Sequence, residues 1–137
     1  MHPKSLIIIP TYNENENVEH MINAVLELSI NFHLLFIDDN SPDGTAKLIE
    51  KAIEKNPNRI FLENRAGKLG LGTAYILGFK WAIANKYDFI FEMDCDFSHN
   101  PKDLIRLHES LRAGFDLVIG SRYCKGGGVK NWPLKRI

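Results

Sequence analysis

The chain has 137 residues, enough for one domain with a real core, and its seventeen basic residues balance seventeen acidic ones. A net charge of zero supplies no global field for nucleic acid or an anionic membrane, so any anion site has to be local. Cys95 and Cys124 have neither a zinc spacing nor the density of a disulfide scaffold, which suits a reducing cytosol. The apolar run at 6–9 is too short for a signal peptide or a membrane span.

Residues 6–9 form a β-branched run without alternation, closed by Pro10, which reads as a strand buried on both faces; residues 10–14 read as the loop after it. Val18, Met21, Ile22, Val25 and Leu26 follow at helical spacing, with Asn15 as the expected N-cap. Residues 34–37 repeat the buried-strand pattern and run into Asp38 and Asp39. Ser41 and Pro42 then suit the cap and first turn of a helix carrying Leu48, Ile49, Ala52 and Ile53, which should stop near Asn56 and Pro57.

A short third strand is expected over 59–63. The glycine-rich stretch 66–72 leads into a helix with Ala74, Leu77, Gly78, Trp81 and Ala82 on one face. Residues 89–93 read as the central strand. Asn100 and Pro101 suit the start of a helix with Leu104, Leu107 and Leu111, and 117–119 reads as a last strand ending at Arg122. Strands alternating with helices predict a three-layer α/β/α domain over 1–137 with a mostly parallel open sheet. In such sheets ligands bind beyond the carboxyl ends of the strands, and four of those ends carry polar residues here: 10–14, 38–39, 94–96 and 121–122.

The strand at 89–93 runs directly into Asp94 and Asp96. In an extended chain side chains two apart share a side, so both carboxylates would aim at one spot, while Cys95 would face the core. Two adjacent anions suit a hard divalent cation, Mg²⁺ or Mn²⁺; a solvated loop or a helix cap is the plainer alternative. Tyr12 has core packing, and Glu14 plain exposure, as its rival reading. Asp38 is expected to cap turns. The glycines at 67–72 do not follow the first strand, so backbone turning and close packing suit them better than phosphate cradling.

Taken together, IIIPTYNE at 7–14, FIDDNSPDGT at 36–45, GLGTAY at 70–75, MDCDFSH at 93–99 and GSRY at 120–123 resemble the family 2 glycosyltransferases of the A-type fold. SPDG at 41–44, GSRY and the NWP at 131–133 are similar to the members that transfer mannose to dolichyl or polyprenyl phosphate. The resemblance implies a nucleotide-sugar donor, with GDP-mannose or a UDP-sugar as the alternatives, and a polyprenyl-phosphate lipid acceptor with inversion at the sugar. Pro10, Tyr12, Glu14, Ile37 and Asp39 would then form the nucleoside pocket. Asp94 and Asp96 would hold the metal on the donor diphosphate, and Ser98, Gln in some relatives, would be a weaker ligand that water can replace.

Arg122, with Arg136 as a second clamp, would meet the acceptor phosphate, since guanidinium pairs bidentately with phosphate. Asp94, Asp96 and Arg122 are thus the expected catalytic set, with Asp96 preferred for any carboxylate acting near the nucleophile. The same resemblance implies that relatives continue past residue 137 into the rest of the acceptor site, at the cytoplasmic face of a membrane. Two other classes compete. Asp38 and Asp39 also resemble the acidic pocket of a receiver domain, but the third strand at 59–63 lacks the partner Asp that such a domain needs. A domain that binds nucleotide sugar without turnover is the other.

Overall fold

A computed structural model describes residues 4–67, 70–98 and 100–112. Four strands form one sheet: β1 (Ser5–Thr11), β2 (His33–Asp38), β3 (Ile60–Asn64) and β4 (Phe89–Glu92). All three pairings are parallel and the spatial order is β3-β2-β1-β4. The chain therefore winds outward from β1 to β3, then returns to the other side of β1. The switch point of the sheet falls between β1 and β4, where parallel sheets open a crevice at their carboxyl ends.

Period-two alternation in the two inner strands sends Ile7, Ile9, Leu34 and Phe36 to one face and Leu6, Ile8, Leu35 and Ile37 to the other; all eight are fully buried. Removal of each from water contributes about 1.5–3 kcal/mol. The helices α1 (Val18–Leu26), α2 (Thr45–Lys55) and α4 (Asp103–Arg112) cover the first face through Val18, Met21, Ile22, Val25, Ile49 and Leu104. The helix α3 (Leu71–Ala84) covers the second through Ala74, Gly78 and Ala82. Small residues let α3 lie close: a Cβ on Gly78 would sit 2.7 Å from Ile8 Cγ2.

The expected alternation of strands and helices and the parallel sheet are therefore present. Several boundaries differ. Pro10 and Thr11 belong to β1, because Pro10 pairs with Ile37 and Thr11 with Asp38. Asn17, not Asn15, stands at the start of α1, and Asn15 instead donates its amide to the Asp43 carbonyl at 3.1 Å. Ser41 and Pro42 precede α2 rather than begin it. The helix starts at Thr45 after Gly44, whose φ of +89° suits a residue without Cβ. Asn100 and Pro101 likewise form a turn before α4, with the Asn100 side chain accepting from Lys102 N. Among the described residues β4 is an edge strand, not a central one; the expected strand at 117–119 lies outside the described residues.

Candidate functional site at the switch point

The carboxyl ends of β1 and β4 and the first turn of α3 enclose a cleft of about 210 Å³. Pro10 and Thr11 line it from β1, Tyr12 and Glu14 from the loop after β1, Asp39 from just past the end of β2, Asp94, Cys95 and Asp96 from the segment after β4, and Gly70, Leu71 and Ala74 from the start of α3. Five of the sequence-derived site residues other than the β4 pair were Pro10, Tyr12, Glu14, Ile37 and Asp39, and four of them meet here. Ile37 does not line the cleft; its side chain is fully buried in the core beneath α3. Tyr12 is 40% exposed, so core packing is not its role.

The loop that carries Tyr12 and Glu14 is held by the residues before α2. Three successive backbone N–H groups donate to three side chains: Asn13 to Ser41 Oγ at 2.9 Å, Glu14 to Thr45 Oγ1 at 3.0 Å and Asn15 to Asp43 Oδ2 at 3.1 Å. Asp43 also accepts from Thr45 N at the first residue of α2; burial would raise its carboxyl, but the hydrogen bonds it accepts hold it below the usual value. Asp38 acts as the expected turn cap. It accepts from the hydroxyls of Thr11 and Ser41, both at 2.7 Å, and from Ser41 N at 2.9 Å. The SPDGT stretch is thus a clamp on the cleft's rim. Asn13 and Asn40, at φ +55° and +56° beside this clamp, are of the type that tolerates the left-handed conformation.

Asp94 and Asp96 share the cleft for a different reason from the one expected. β4 ends at Glu92, so the pair sits in the turn that follows the strand rather than on an extended backbone. Asp96 Oδ1 accepts from Ser98 N at 2.9 Å, which folds the turn back on itself, and Phe97 at φ +63° completes the reversal. Cys95 is buried between them in the core, as expected. Its thiol is pushed up to about 12, by burial first and then by the negative charges of Glu14, Asp96 and Asp94. Glu14, Asp39, Asp94 and Asp96 bring four carboxylates to the lining of this one cleft.

Such a site suits a cation, and the donors are hard oxygens. Among the described residues no three His, Cys, Asp or Glu side chains form a metal cage. Two carboxylates without a third fit Mg²⁺ or Mn²⁺, which are commonly bound by one or two carboxylates together with substrate phosphates. Ser98 is exposed and turns its backbone N–H to Asp96. Arg122, Arg136, His99, Cys124, Lys68, Lys125, Lys130 and the NWP at 131–133 lie outside the described residues.

Two side chains that sequence reasoning passed over stand behind the cleft. Arg65 pairs with Asp39 through both carboxylate oxygens, and Tyr75 directs its hydroxyl to Asp94 Oδ1 at 3.4 Å. Burial, then the charges of Asp94 and Glu92 and the bond to Asp94, raise the Tyr75 hydroxyl far above its ordinary value, so it stays a donor. The available signal was position: Arg65 immediately precedes, and Tyr75 follows, the glycine-rich stretch.

The model of the family described as Glycosyl transferase family 2 matches residues 6–137, and the chain belongs to that family. It is 45% identical over 134 residues to a polyprenol monophosphomannose synthase of Mycolicibacterium smegmatis, covering 98% of this chain and 51% of that protein. An undecaprenyl-phosphate mannosyltransferase of Micrococcus luteus is 43% identical over 96% of this chain and 53% of its own length. A dolichol-phosphate mannosyltransferase of Pyrococcus furiosus is 38% identical over 97% of this chain and 37% of its own. The chain thus spans about half the length, or less, of these relatives.

Among solved structures, the fold is similar to that of the mannosyltransferase PcManGT from Pyrobaculum calidifontis, in complex with GDP-Man and Mn²⁺. The TM-score is 0.70 at 21% identity, covering 88% of this chain and 34% of that one. S. aureus TarS in complex with UDP-GlcNAc gives 0.66 at 22% identity, covering 80% and 31%. The architecture is that of the A-type glycosyltransferases.

Proposed function

We propose that this chain is the donor-binding and catalytic part of a transferase that moves mannose from GDP-mannose to a polyprenyl phosphate. The observation that carries the reading is the cleft itself: Tyr12, Glu14, Asp39, Asp94 and Asp96 line one crevice at the switch point. It is supported by the names of the relatives that share more than a third of its residues.

In this reading Tyr12 and Asp39 take the nucleoside, an aromatic face for the base and a carboxylate for a hydrogen-bond donor. Asp94 and Asp96 would hold Mg²⁺ or Mn²⁺ against the donor diphosphate. When bound, the ion offsets the charge that grows on the departing nucleoside diphosphate. Tyr75 keeps Asp94 oriented. The bond from the sugar's anomeric carbon to the diphosphate breaks, its electron pair leaves with GDP, and a phosphate oxygen of the lipid forms the new bond. A phosphate monoester is already largely ionised near neutral pH, with a second pKa of about 6, so little base help is needed. Attack from the face opposite the leaving group inverts the centre. Arg122 and Arg136 are proposed to receive the acceptor phosphate, and Ser98 to add at most a weak ligand through its hydroxyl. The lipid acceptor would bring the protein to the cytoplasmic face of a membrane; no described helix is long and apolar enough to cross one.

Calorimetric titration of GDP-mannose, GDP and UDP-glucose into the chain, with Mn²⁺ or Mg²⁺, tests the reading. Metal-dependent binding of the guanine nucleotides that disappears in Asp94→Ala supports it. Preference for the uridine nucleotide moves the protein to a UDP-sugar-using branch. Binding without sugar release to polyprenyl phosphate leaves a binding domain, and no binding at all rejects the donor site.

A further inference from the structure

Asp39 stands at the carboxyl end of β2 on the wall of the cleft, with its side chain 11% exposed, and Arg65 lies directly behind it, 8% exposed. Arg65 Nε donates to Asp39 Oδ1 at 2.6 Å and Nη2 donates to Oδ2 at 2.8 Å, a two-pronged pairing that defines the plane of the carboxylate. The rest of the guanidinium is committed as well. Nη2 donates to the Gly70 carbonyl at 3.0 Å, and Nη1 to Thr73 Oγ1 at 2.7 Å. Four of its five N–H groups are therefore used on protein. Arg65 does not itself line the cleft, whereas Asp39 and Gly70 do.

We propose that Arg65 is a positioning residue: it acts on the nucleotide only through Asp39, by setting the direction of that carboxylate and offsetting its charge. This inference rests on the donor-site reading above. The cleft already gathers Glu14, Asp94 and Asp96, and it has to admit a diphosphate. An Asp39 carboxylate without its guanidinium would be a shielded, uncompensated anion facing an anionic ligand, free to turn away from the nucleoside. With the fork in place, both oxygens are held by Arg65 while Asp39 stays on the lining of the cleft. The same guanidinium ties that wall to Gly70 and Thr73 at the start of α3, so the direction of Asp39 is set by tertiary contacts with β3's end and α3, not by β2 alone.

The test is a double-mutant cycle on GDP affinity in the presence of Mn²⁺, read by calorimetry, on the wild type, Arg65→Met, Arg65→Lys, Asp39→Asn and Arg65→Met with Asp39→Asn. Arg65→Met is expected to weaken binding about tenfold or more, and Arg65→Lys by less, since lysine returns the charge without the fork. On the Asp39→Asn background, Arg65→Met should add no more than about twofold. Melting temperatures accompany each titration, and Arg65→Lys carries the comparison if Arg65→Met does not fold.

An equal loss from Arg65→Met on both backgrounds means that Arg65 touches the nucleotide itself and overturns the proposal. Wild-type affinity in Arg65→Met, or in Arg65→Lys where that carries the comparison, does the same. A wild type that binds neither GDP nor UDP with Mn²⁺ fails before any variant is compared; that result rejects the donor site, and the role of Arg65 falls with it.

Discussion

Thr45 at the start of α2 accepts the backbone N–H of Glu14 at 3.0 Å, across 31 residues of sequence. Thr45 is fully buried, so the bond cannot be exchanged for one to water. Thr45→Val keeps the shape and removes the acceptor. Leaving the Glu14 N–H unsatisfied costs about 1–3 kcal/mol. Chemical denaturation should register that loss, and GDP affinity should fall with it because the loop also carries Tyr12. Unchanged stability would mean that the loop finds another acceptor.

Gly78 makes a second tight contact, at the interface of α3 with β1. A Cβ there would meet Ile8 Cγ2 at 2.7 Å and Cδ1 at 2.8 Å. Overpacking of this kind costs about 1–3 kcal/mol, against a gain of at most about 1 kcal/mol in helix propensity. Gly78→Ala should therefore be less stable than the wild type. Ile8→Val, which removes Cδ1, should relieve part of the clash, so that the double variant is more stable than the two single losses predict.

The charge gathered around Cys95 bears on the metal. Mn²⁺ titrated into the chain with GDP should lose its free-ion electron paramagnetic resonance signal, and EDTA should restore it. Asp94→Asn and Asp96→Asn should each weaken the GDP-dependent uptake about tenfold, equivalent to about 1.4 kcal/mol. Tyr75→Phe removes only the 3.4 Å bond to Asp94 and should have the smaller effect. Full Mn²⁺ uptake in Asp94→Asn would remove that residue from the ligand set.

His108 of α4 gives a prediction on pH. Its ring packs against Phe32, Phe89 and Phe91, Nε2 meets Ser5 Oγ at 3.1 Å, and Nδ1 has no partner among the described residues. Burial, and more weakly Arg112, lower its pKa below the ordinary 6.5, with Glu109 opposing. The folded state then binds fewer protons than the unfolded state below that pH. Stability from the neutral ring is present above about 6.5 and is lost as pH falls towards the folded value. His33, lowered by burial and by Arg59 and Lys4, adds to the same limb. The melting temperature should drop less between pH 7.5 and pH 5 in His108→Leu than in the wild type. Equal drops would assign the acid limb to other groups.

Much of this protein is legible in its residues because two simple periodicities survive folding. Apolar runs without alternation mark strands covered on both faces, and the helical spacing of Val18, Met21, Ile22 and Val25, or of Ala74, Gly78 and Ala82, marks the faces that cover them. Polar residues where such runs end identify the crevice, since a buried sheet can meet a ligand only at its strand ends. Asp38 as a turn cap and Cys95 as core follow from the same reasoning.

The rest depended on contacts between residues far apart in the chain. Whether β4 is central or at an edge is a matter of strand order, which local pattern does not encode. Ser41 and Pro42 look like helix starters because Ser and Pro favour such positions, yet Ser41 Oγ accepts the N–H of Asn13, 28 residues away, and α2 starts at Thr45. Asp94 and Asp96 share a wall through a turn bonded back on itself, not through the pleat of a strand. Arg65, 26 residues from Asp39, carries no local signal of its role. The sequence by itself determined the layers and the end of the sheet where chemistry can occur. Only the tertiary structure decided which side chains hold the site in shape, because a carboxylate's direction is set by whatever folds up beside it.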